Sequence, residues 1–402
     1  EEAESLYRTA IRLNPSNSEL RTELVHNLER QGAERRGEVL EILEQGRLTE
    51  PFDEAYAVKL AKNLALRGQY TRAIEELERF TQLGDISPDL RWVQLEIQND
   101  QAAFDDKLAL LLDMLQNETN KFYRAGGTLG HLFWTAHQIR ALGLVEESEA
   151  LYQSLTAIPE RADATEFEHW VRQYFLLDLY DRGNDREEEV ARERLAEVEG
   201  LSNAEILDRW HIRAANYADS FWEAGEFDRA IELYEALRHY SYHPFWANRG
   251  PMVLIGLAEL YWETGRVEDA WRVIEEIVDI LEAELAAGAR HQSMLYDLAT
   301  AYAALGQHES ALEVLALAVD YGHWWSSDDS EEELPFDAWE ALRDDPRFRG
   351  QERRMQAIVE GRAANVRELL TAYDIDTLLA PVIEVHAAAQ APEQEEQVAG
   401  NP

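Results

Sequence analysis

Two groups of side chains have residue types that could bind a metal ion. His239 and His243 are four residues apart, so on a helix they would share one face and could chelate a divalent metal. They border Pro244 and two tyrosines, which favours a joint packed with aromatic side chains. The acidic run at 328–333 lacks the ligand spacing of a calcium loop and is predicted to be a solvated loop.

No enzyme motif is present in the sequence. It contains no Gly-rich phosphate loop, no His-Glu-x-x-His and no Gly-x-Ser-x-Gly. We therefore expect no catalytic residue, no cofactor and no metal site, and we predict that the protein is not an enzyme.

The composition narrows the range of partners. The 402 residues carry a net charge of −41, with 79 acidic and 38 basic side chains. Binding to phosphates requires clustered Lys and Arg, so the charge argues against nucleic acid and anionic membranes. No apolar run approaches the roughly 20 residues that span a bilayer, and no signal peptide is recognisable.

Two further features bear on location. The absence of cysteine excludes disulfides and thiolate sites, and it is compatible with the periplasm or the surface of a bacterium, which we favour over the cytoplasm. The chain begins with Glu-Glu and not Met, so we expect a segment upstream.

The elements that position these side chains form an internal repeat. The segments 221–230 and 261–270 share an aromatic residue, Trp-Glu, a glycine and an alanine five residues after it, at a separation of 40 residues. The Gly and Ala recur at Gly68/Ala73 and Gly306/Ala311, with weaker copies at positions 32, 143 and 183. A fixed period of this kind predicts an array of stacked units.

The spacing of small and large residues resembles the tetratricopeptide repeat (TPR). Ala3, Tyr7, Ala10 and Pro15 are similar to the second helix of such a repeat. The segment 54–85 matches a whole unit. The resemblance implies an all-α fold, a right-handed α-solenoid of about eight helix-turn-helix repeats with a C-terminal helical cap.

The repeat pattern divides the chain into five parts. We expect a half repeat at 1–15, degenerate repeats and a joint at 16–128, C-terminal repeats at 129–322, an acidic loop with capping helices at 323–381, and a flexible tail at 382–402. The glycines from 143 to 306 are 40 to 42 residues apart, whereas the standard unit has about 34, so longer second helices or joints are needed. The segment 343–348 resembles the C-terminal end of many proteobacterial TPR proteins.

A column of side chains on the first helices is the predicted binding groove. In TPR proteins these helices line the concave face, and aromatic platforms edged with carboxylates would suit a basic or aromatic-rich peptide. The alternative is that longer helices bury the tryptophans in the core. The predicted groove residues are Phe133, His137, Arg140, Trp170, Tyr180, Asp181, Asp219, Trp222, Glu223, Ile255, Glu259, Trp262, Glu263 and Tyr296.

The two ends could associate with each other. Residues 343–367 carry seven arginines against four acids, and the helix at 3–14 lacks a mate. A head-to-tail contact would use Tyr7 and Ala10 at one end and Arg347, Arg349, Arg353 and Arg354 at the other, and would produce a ring or a polymer. An ordinary cap on a truncated array is the favoured alternative.

The function predicted from these features is a non-enzymatic scaffold or adaptor for protein–protein interaction, with end-to-end self-assembly as an addition. A first alternative is the sensory or regulatory region of a longer bacterial protein with an upstream signalling, DNA-binding or enzyme domain. A second is a structural filament subunit.

Overall fold

The fold was analysed in a computed structural model of the chain. It describes residues 2–15, 17–29, 31, 35–81, 88–101, 103–117, 128–156, 158, 192, 195–210, 214–238, 249–324 and 338–390. Within these ranges every regular element is a helix, which confirms the predicted all-α fold. None of the described helices is long and apolar enough to cross a membrane.

The α-helices are numbered here in chain order. They are α1 (Glu2–Leu13), α2 (Ser18–Glu29), α3 (Arg36–Thr49), α4 (Glu54–Leu66), α5 (Tyr70–Thr81), α6 (Pro88–Asp100), α7 (Phe104–Asn117), α8 (Thr128–Ala141), α9 (Val145–Thr156), α10 (Asn203–Trp210), α11 (Ala214–Glu223), α12 (Phe227–Leu237), α13 (Arg249–Glu263), α14 (Val267–Ala286), α15 (Gln292–Ala304), α16 (His308–Asp320), α17 (Pro346–Ala372) and α18 (Ile375–Gln390). A short 3₁₀ helix spans Glu340–Leu342.

The chain divides into two compact units. Unit one comprises Glu1–Ile86, Asp100–Ala102 and Asn184–Ala357. Unit two comprises Ser87–Asn99, Ala103–Gly183 and Ile358–Pro402. In both units, helices that are adjacent in the sequence pack together as pairs, as expected for a helical solenoid of TPR type.

The repeat pattern corresponds to the packing inside each pair. The alanine that follows each turn glycine by five residues is buried, with an exposure of 0–1% at Ala73, Ala230, Ala270 and Ala311. A small side chain at this place lets the second helix approach the first closely. The repeated alanine of the sequence therefore marks the buried position at which the two helices of a pair come close together.

The turn between the helices of a pair requires glycine, as Gly265 illustrates. Its φ of +76° lies in the left-handed region, where a Cβ is strained. The turn is closed by the N–H of Arg266, which donates to the carbonyl of Tyr261 at 2.7 Å, in the manner of a glycine C-cap.

The extra length of the units has a visible source in one repeat. The second helix α14 has 20 residues, whereas α12 has 11 and α16 has 13. One of the two predicted explanations, a longer second helix, thus applies to the repeat formed by α13 and α14.

Unit one contains a contact between distant parts of the sequence. Arg36 on α3 donates to the Glu284 carboxylate on α14 at 2.8 Å, and both side chains are buried. Next to the same helices, the backbone N–H of Arg290 donates to the carbonyl of Leu66 at 2.9 Å. The early and late repeats of unit one are therefore in direct contact.

An aromatic stack covers the last repeat of unit one. The Tyr296 ring on α15 stacks on His323 with centroids 4.2 Å apart, and on Trp339 at 6.2 Å. Trp339 in turn stacks on Phe348 of α17 at 5.3 Å. His323, Trp339 and Phe348 thus form an aromatic cover over Tyr296 of the last repeat.

Unit two contains most of α6, all of α7, α8, α9 and α18, and the later part of α17. Asp105 on α7 accepts hydrogen bonds from Arg362 and Asn365 of α17, each at 2.8 Å. Arg367 forms an ion pair with Glu147 at 2.9 Å. These bonds attach the C-terminal helices to the helix pairs of this unit.

The C-terminal boundary differs from the sequence-based prediction. Helix α18 runs through Pro381 to Gln390, so part of the segment 382–402 that we predicted to be a flexible tail is helical. Proline lacks an N–H donor and is normally disfavoured inside a helix. Leu379 and Val382, on either side of it in the sequence, are buried, and the helix contacts α7 and α9.

Candidate functional site

The two Trp-Glu pairs lie at equivalent ends of neighbouring first helices. Trp222 and Glu223 end α11, and Trp262 and Glu263 end α13. Both tryptophans are half-buried, and both glutamates are exposed. The tryptophans are thus neither fully in the core nor fully in solvent, and each presents part of its ring at the surface.

The pairs are connected across the two repeats. The indole N–H of Trp222 donates a hydrogen bond to the Glu263 carboxylate, 41 residues further along the chain. The Trp262 ring meets the edge of Trp271 on α14, with centroids 5.8 Å apart and ring planes at 88°. These contacts hold both indoles in defined orientations.

A third helix supplies a buried phenol beneath the acidic side chains. The Tyr234 hydroxyl on α12 donates to the carboxylate of Asp219. Burial raises the pKa of Tyr234, and the negative charges of Asp219, Glu259 and Glu223 raise it further. Asp219 and Glu223 of α11 and Glu259 of α13 thus all act electrostatically on one phenol.

Gly256 makes room for that phenol. A Cβ at this position would lie 2.8 Å from the Tyr234 hydroxyl oxygen and 3.0 Å from the adjacent ring carbon. Sequence reasoning missed both residues, because neither belongs to the repeated Gly and Ala pattern. An isolated glycine inside a helix was the available signal of a close approach.

Tyrosines of the first helices form a second series of links between repeats. The Tyr261 hydroxyl donates to Glu235 of the preceding second helix at 2.5 Å, and Tyr302 donates to Glu282 in the same way at 2.5 Å. Burial, followed by the nearby carboxylate, raises the pKa of each tyrosine to about 12. Each tyrosine thus attaches its own repeat to the one before it.

Two predicted groove residues lie in the core. Phe133 is 1% exposed and packs on Tyr152 in unit two, with centroids 6.3 Å apart. Tyr296 is 8% exposed because His323 and Trp339 cover its ring. Neither presents its ring to a partner in this structure, so both are left out of the candidate site.

The other predicted residues are placed as follows. His137 and Arg140 are half-buried on α8 of unit two, and Ile255 is half-buried on α13. Trp170, Tyr180 and Asp181 lie outside the described residues, as do His239, His243 and the acidic run 328–333. Among the residues that the structure does describe, no group of three or more His, Asp or Glu side chains could hold a metal ion.

The predicted self-association residues lie at helix surfaces. Tyr7 and Ala10 are half-buried on α1, and Arg353 is exposed. Arg347 pairs with Glu309 at 2.7 Å, and Arg354 pairs with Asp320 at 2.5 Å. Arg349 pairs with Asp344. Three of these four arginines thus already have acidic partners within the chain.

We refer to Trp222, Glu223, Glu259, Trp262 and Glu263 as the Trp-Glu surface. All five residues belong to unit one and to two adjacent first helices. Apolar ring area bordered by carboxylates is suited to a partner with aromatic or cationic side chains.

Comparison with known proteins identifies the repeats that carry this surface. Residues 217–281 and residues 294–316 each match a family model described as tetratricopeptide repeat. These two segments are similar to tetratricopeptide repeats. The first match covers α12 and α13, most of α11 and most of α14, so the Trp-Glu surface lies within the first matched segment.

A solved structure is also similar to the chain. The TPR domain of P58(IPK) is 12% identical, with 89% of this chain and 93% of that chain covered and a TM-score of 0.21. No curated protein matches the sequence. TPRs are in general modules of protein–protein interaction, and such a scaffold is the function class that the repeats of this chain support.

Proposed function

We propose that this TPR protein binds a protein segment with basic and aromatic side chains on its Trp-Glu surface. The observation that carries the proposal is the pair of half-buried tryptophans on adjacent first helices, each next to an exposed glutamate. A half-buried indole has lost part of its hydration and still offers ring area to a partner.

The charge of the surface favours a cationic partner. The exposed Glu223 and Glu263 lie near Asp219 and Glu259, whose charges reach the same buried phenol. An arginine or lysine of a bound segment would meet both carboxylates and ring faces, which combines ion pairing with cation–π attraction. The net charge of −41 would add long-range attraction for such a segment.

The test begins with an array of random 12-residue peptides, because it assumes no partner. We expect enrichment of peptides with Arg or Lys next to Trp, Tyr or Phe. A selected peptide is then titrated against the protein by fluorescence anisotropy. We expect Trp222→Ala/Trp262→Ala to weaken binding about tenfold or more, since aromatic anchors dominate such interfaces.

A charge-matched pair of variants provides the control. Glu223→Gln/Glu263→Gln is expected to weaken binding and reduce its salt dependence. Glu275→Gln/Glu313→Gln removes the same charge from exposed positions on the second helices α14 and α16 and is expected to have little effect. Equal losses of peptide affinity in the two double variants would contradict the proposal. Selection of peptides that contain no Arg or Lys would also contradict it.

Self-association through the chain ends is a second candidate, favoured by one feature of α1. No side chain described on α1 is buried, and Leu6 and Leu13 are 65% and 83% exposed. A second copy that offers the arginine segment of α17 would have to replace that segment's own ion pairs. Light scattering over a range of protein and NaCl concentrations tests this idea, and a constant mass near 46.2 kDa would contradict it.

A further inference from the structure

An open cleft of about 600 Å³ lies between α1, α2 and α3, away from the Trp-Glu surface. Three arginines, Arg8, Arg12 and Arg21, line it against a single acid, Glu4. In a chain with a net charge of −41, this excess of positive charge is unusual. Its volume is in the range of small-molecule sites.

Arg21 is the central group of this cleft. The residue is only 7% exposed, and one of its terminal nitrogens, Nη2, donates to the carbonyl of Pro15. The other, Nη1, is buried and has no hydrogen-bond partner among the described residues. A buried N–H of a charged group without a partner is costly, so an anion at this position would be strongly favoured.

Arg8 is already balanced, because it pairs with Glu4 and with Glu38 of α3, which leaves Arg12 and Arg21 to receive one more anion. Glu4 accepts hydrogen bonds from Arg35 and Arg8, and these bonds lower the pKa of its carboxyl to about 2. Glu4 is thus ionised and already paired. Arg12 is exposed, bonds the Thr9 hydroxyl at 3.1 Å, and forms no ion pair with any described residue.

The rest of the lining is mixed, with Ser5, Thr9 and Gln45 as its polar side chains. Ile11, Leu24 and Ile42 contribute aliphatic surface from three different helices. A multiply charged anion such as phosphate would make no apolar contact with these aliphatic side chains. A carboxylate attached to a short aliphatic chain would contact both the arginines and the aliphatic side chains.

From this arrangement we propose that the cleft between α1, α2 and α3 is a binding site for a small aliphatic monocarboxylate. The carboxylate accepts hydrogen bonds from Arg21 and pairs with Arg12. The aliphatic chain contacts Ile11, Leu24 and Ile42. This site is independent of peptide binding on the Trp-Glu surface.

Isothermal titration of the full chain with hexanoate tests the proposal. We expect saturable binding of one hexanoate per chain. Hexanamide has the same apolar body without the charge and is expected to bind at least about tenfold more weakly, since a hydrogen bond between charged groups contributes about that factor. Inorganic phosphate is expected to bind more weakly than hexanoate.

Three variants locate the site. Ser5→Trp places a large ring at an exposed position of the cleft lining and is expected to abolish binding without loss of stability. Arg21→Gln removes the central cation and is expected to weaken binding about tenfold or more. Arg72→Gln changes an exposed arginine outside the cleft and is expected to leave binding unchanged.

The hexanamide comparison and Ser5→Trp do not depend on whether Arg21→Gln folds. Absence of hexanoate binding, equal affinities for hexanoate and hexanamide, or unchanged binding in Ser5→Trp would each overturn the proposal.

Discussion

The indole N–H of Trp222 donates a hydrogen bond to the carboxylate of Glu263, and this bond joins the ends of two consecutive first helices. The two residues occupy adjacent places of the repeat, Trp222 as the tryptophan of one Trp-Glu pair and Glu263 as the glutamate of the next. A feature that looks like a recognition motif is therefore also a contact between repeats. The proposed partner-binding role and the structural role can be separated by mutation.

Trp222→Phe removes the N–H and keeps an aromatic ring. Because the bond lies at the surface and Glu263 can be solvated after its loss, we expect the free energy of unfolding to fall by only about 0.5–1.5 kcal/mol. Urea denaturation followed by circular dichroism measures the change. Glu263→Gln/Trp222→Phe should cost little more than the single variant, and fully additive losses would mean that the two side chains are not coupled.

Gly256→Ala should be destabilising, in contrast to most Gly→Ala changes in helices. The new Cβ would lie 2.8 Å from the hydroxyl oxygen of Tyr234, and we expect a loss of about 1–3 kcal/mol from overpacking. Thermal denaturation checks this. Gly361→Ala on α17 is the matched control, because no atom lies within 4 Å of its Cβ, and it should stabilise by up to about 1 kcal/mol.

A second change at the contacting residue tests the cause of that effect. Tyr234→Phe deletes the hydroxyl that Gly256→Ala would meet. We expect the double variant to recover part of the stability lost in Gly256→Ala. No recovery would show that the alanine acts through something other than the phenol.

Arg36→Ala should be strongly destabilising, because it removes the arginine that pairs with the buried Glu284 carboxylate. Loss of one member of a buried pair costs about 3–5 kcal/mol. The midpoint of urea unfolding measures the loss. Arg72→Ala, which removes an exposed arginine paired with Glu44 at 3.1 Å, should cost at most about 1 kcal/mol, and similar losses in both variants would contradict the burial argument.

His323 should make the protein less stable as the pH falls below neutrality. Burial, with a smaller effect of nearby His291, lowers the pKa of His323 to about 3, whereas an unfolded histidine has a pKa of about 6.5. Between these values the unfolded chain takes up a proton that the folded chain does not, so the free energy of unfolding decreases from about pH 6.5 downwards.

His323→Gln isolates that contribution. His323 Nδ1 lies 2.7 Å from the side-chain amide oxygen of Gln292. A glutamine at position 323 can still donate to that oxygen, but it does not titrate. Urea midpoints at pH 7.0 and pH 5.5 should differ less in this variant than in the parent. His26→Gln, at an exposed position on α2, should retain the parental difference. An unchanged difference in His323→Gln would contradict the assignment.

Much of the fold could be predicted from the sequence because the determining interactions are local. The helix turn at Gly265 depends on one residue that tolerates a positive φ, and the close crossing at Ala270 depends on one small side chain five positions later. Such features recur with the period of the repeat. They can therefore be recognised without knowledge of any distant contact.

The candidate site was only partly predictable. The sequence alignment of the repeats predicted that Trp222, Trp262 and Tyr296 all face the groove. In the structure, Trp222 and Trp262 each lie one residue before the end of a first helix. Tyr296 is buried because Trp339 and His323 stack on it, and both belong to the segments that follow the last full repeat. A repeat period carries no information about the segment that ends the array.

The sequence by itself determined the all-α class, the helix pairs and the residues at which helices turn and cross, since these follow from side-chain size and backbone freedom within about 40 residues. Only the tertiary structure decided which charges meet. Arg36 and Glu284 are 248 residues apart, and Arg21 lies in a cleft formed by three helices. Because the chain has 79 acidic residues, the sequence alone does not indicate which of them pairs with a given arginine. The packing of the helices determines which charges lie within reach of each other.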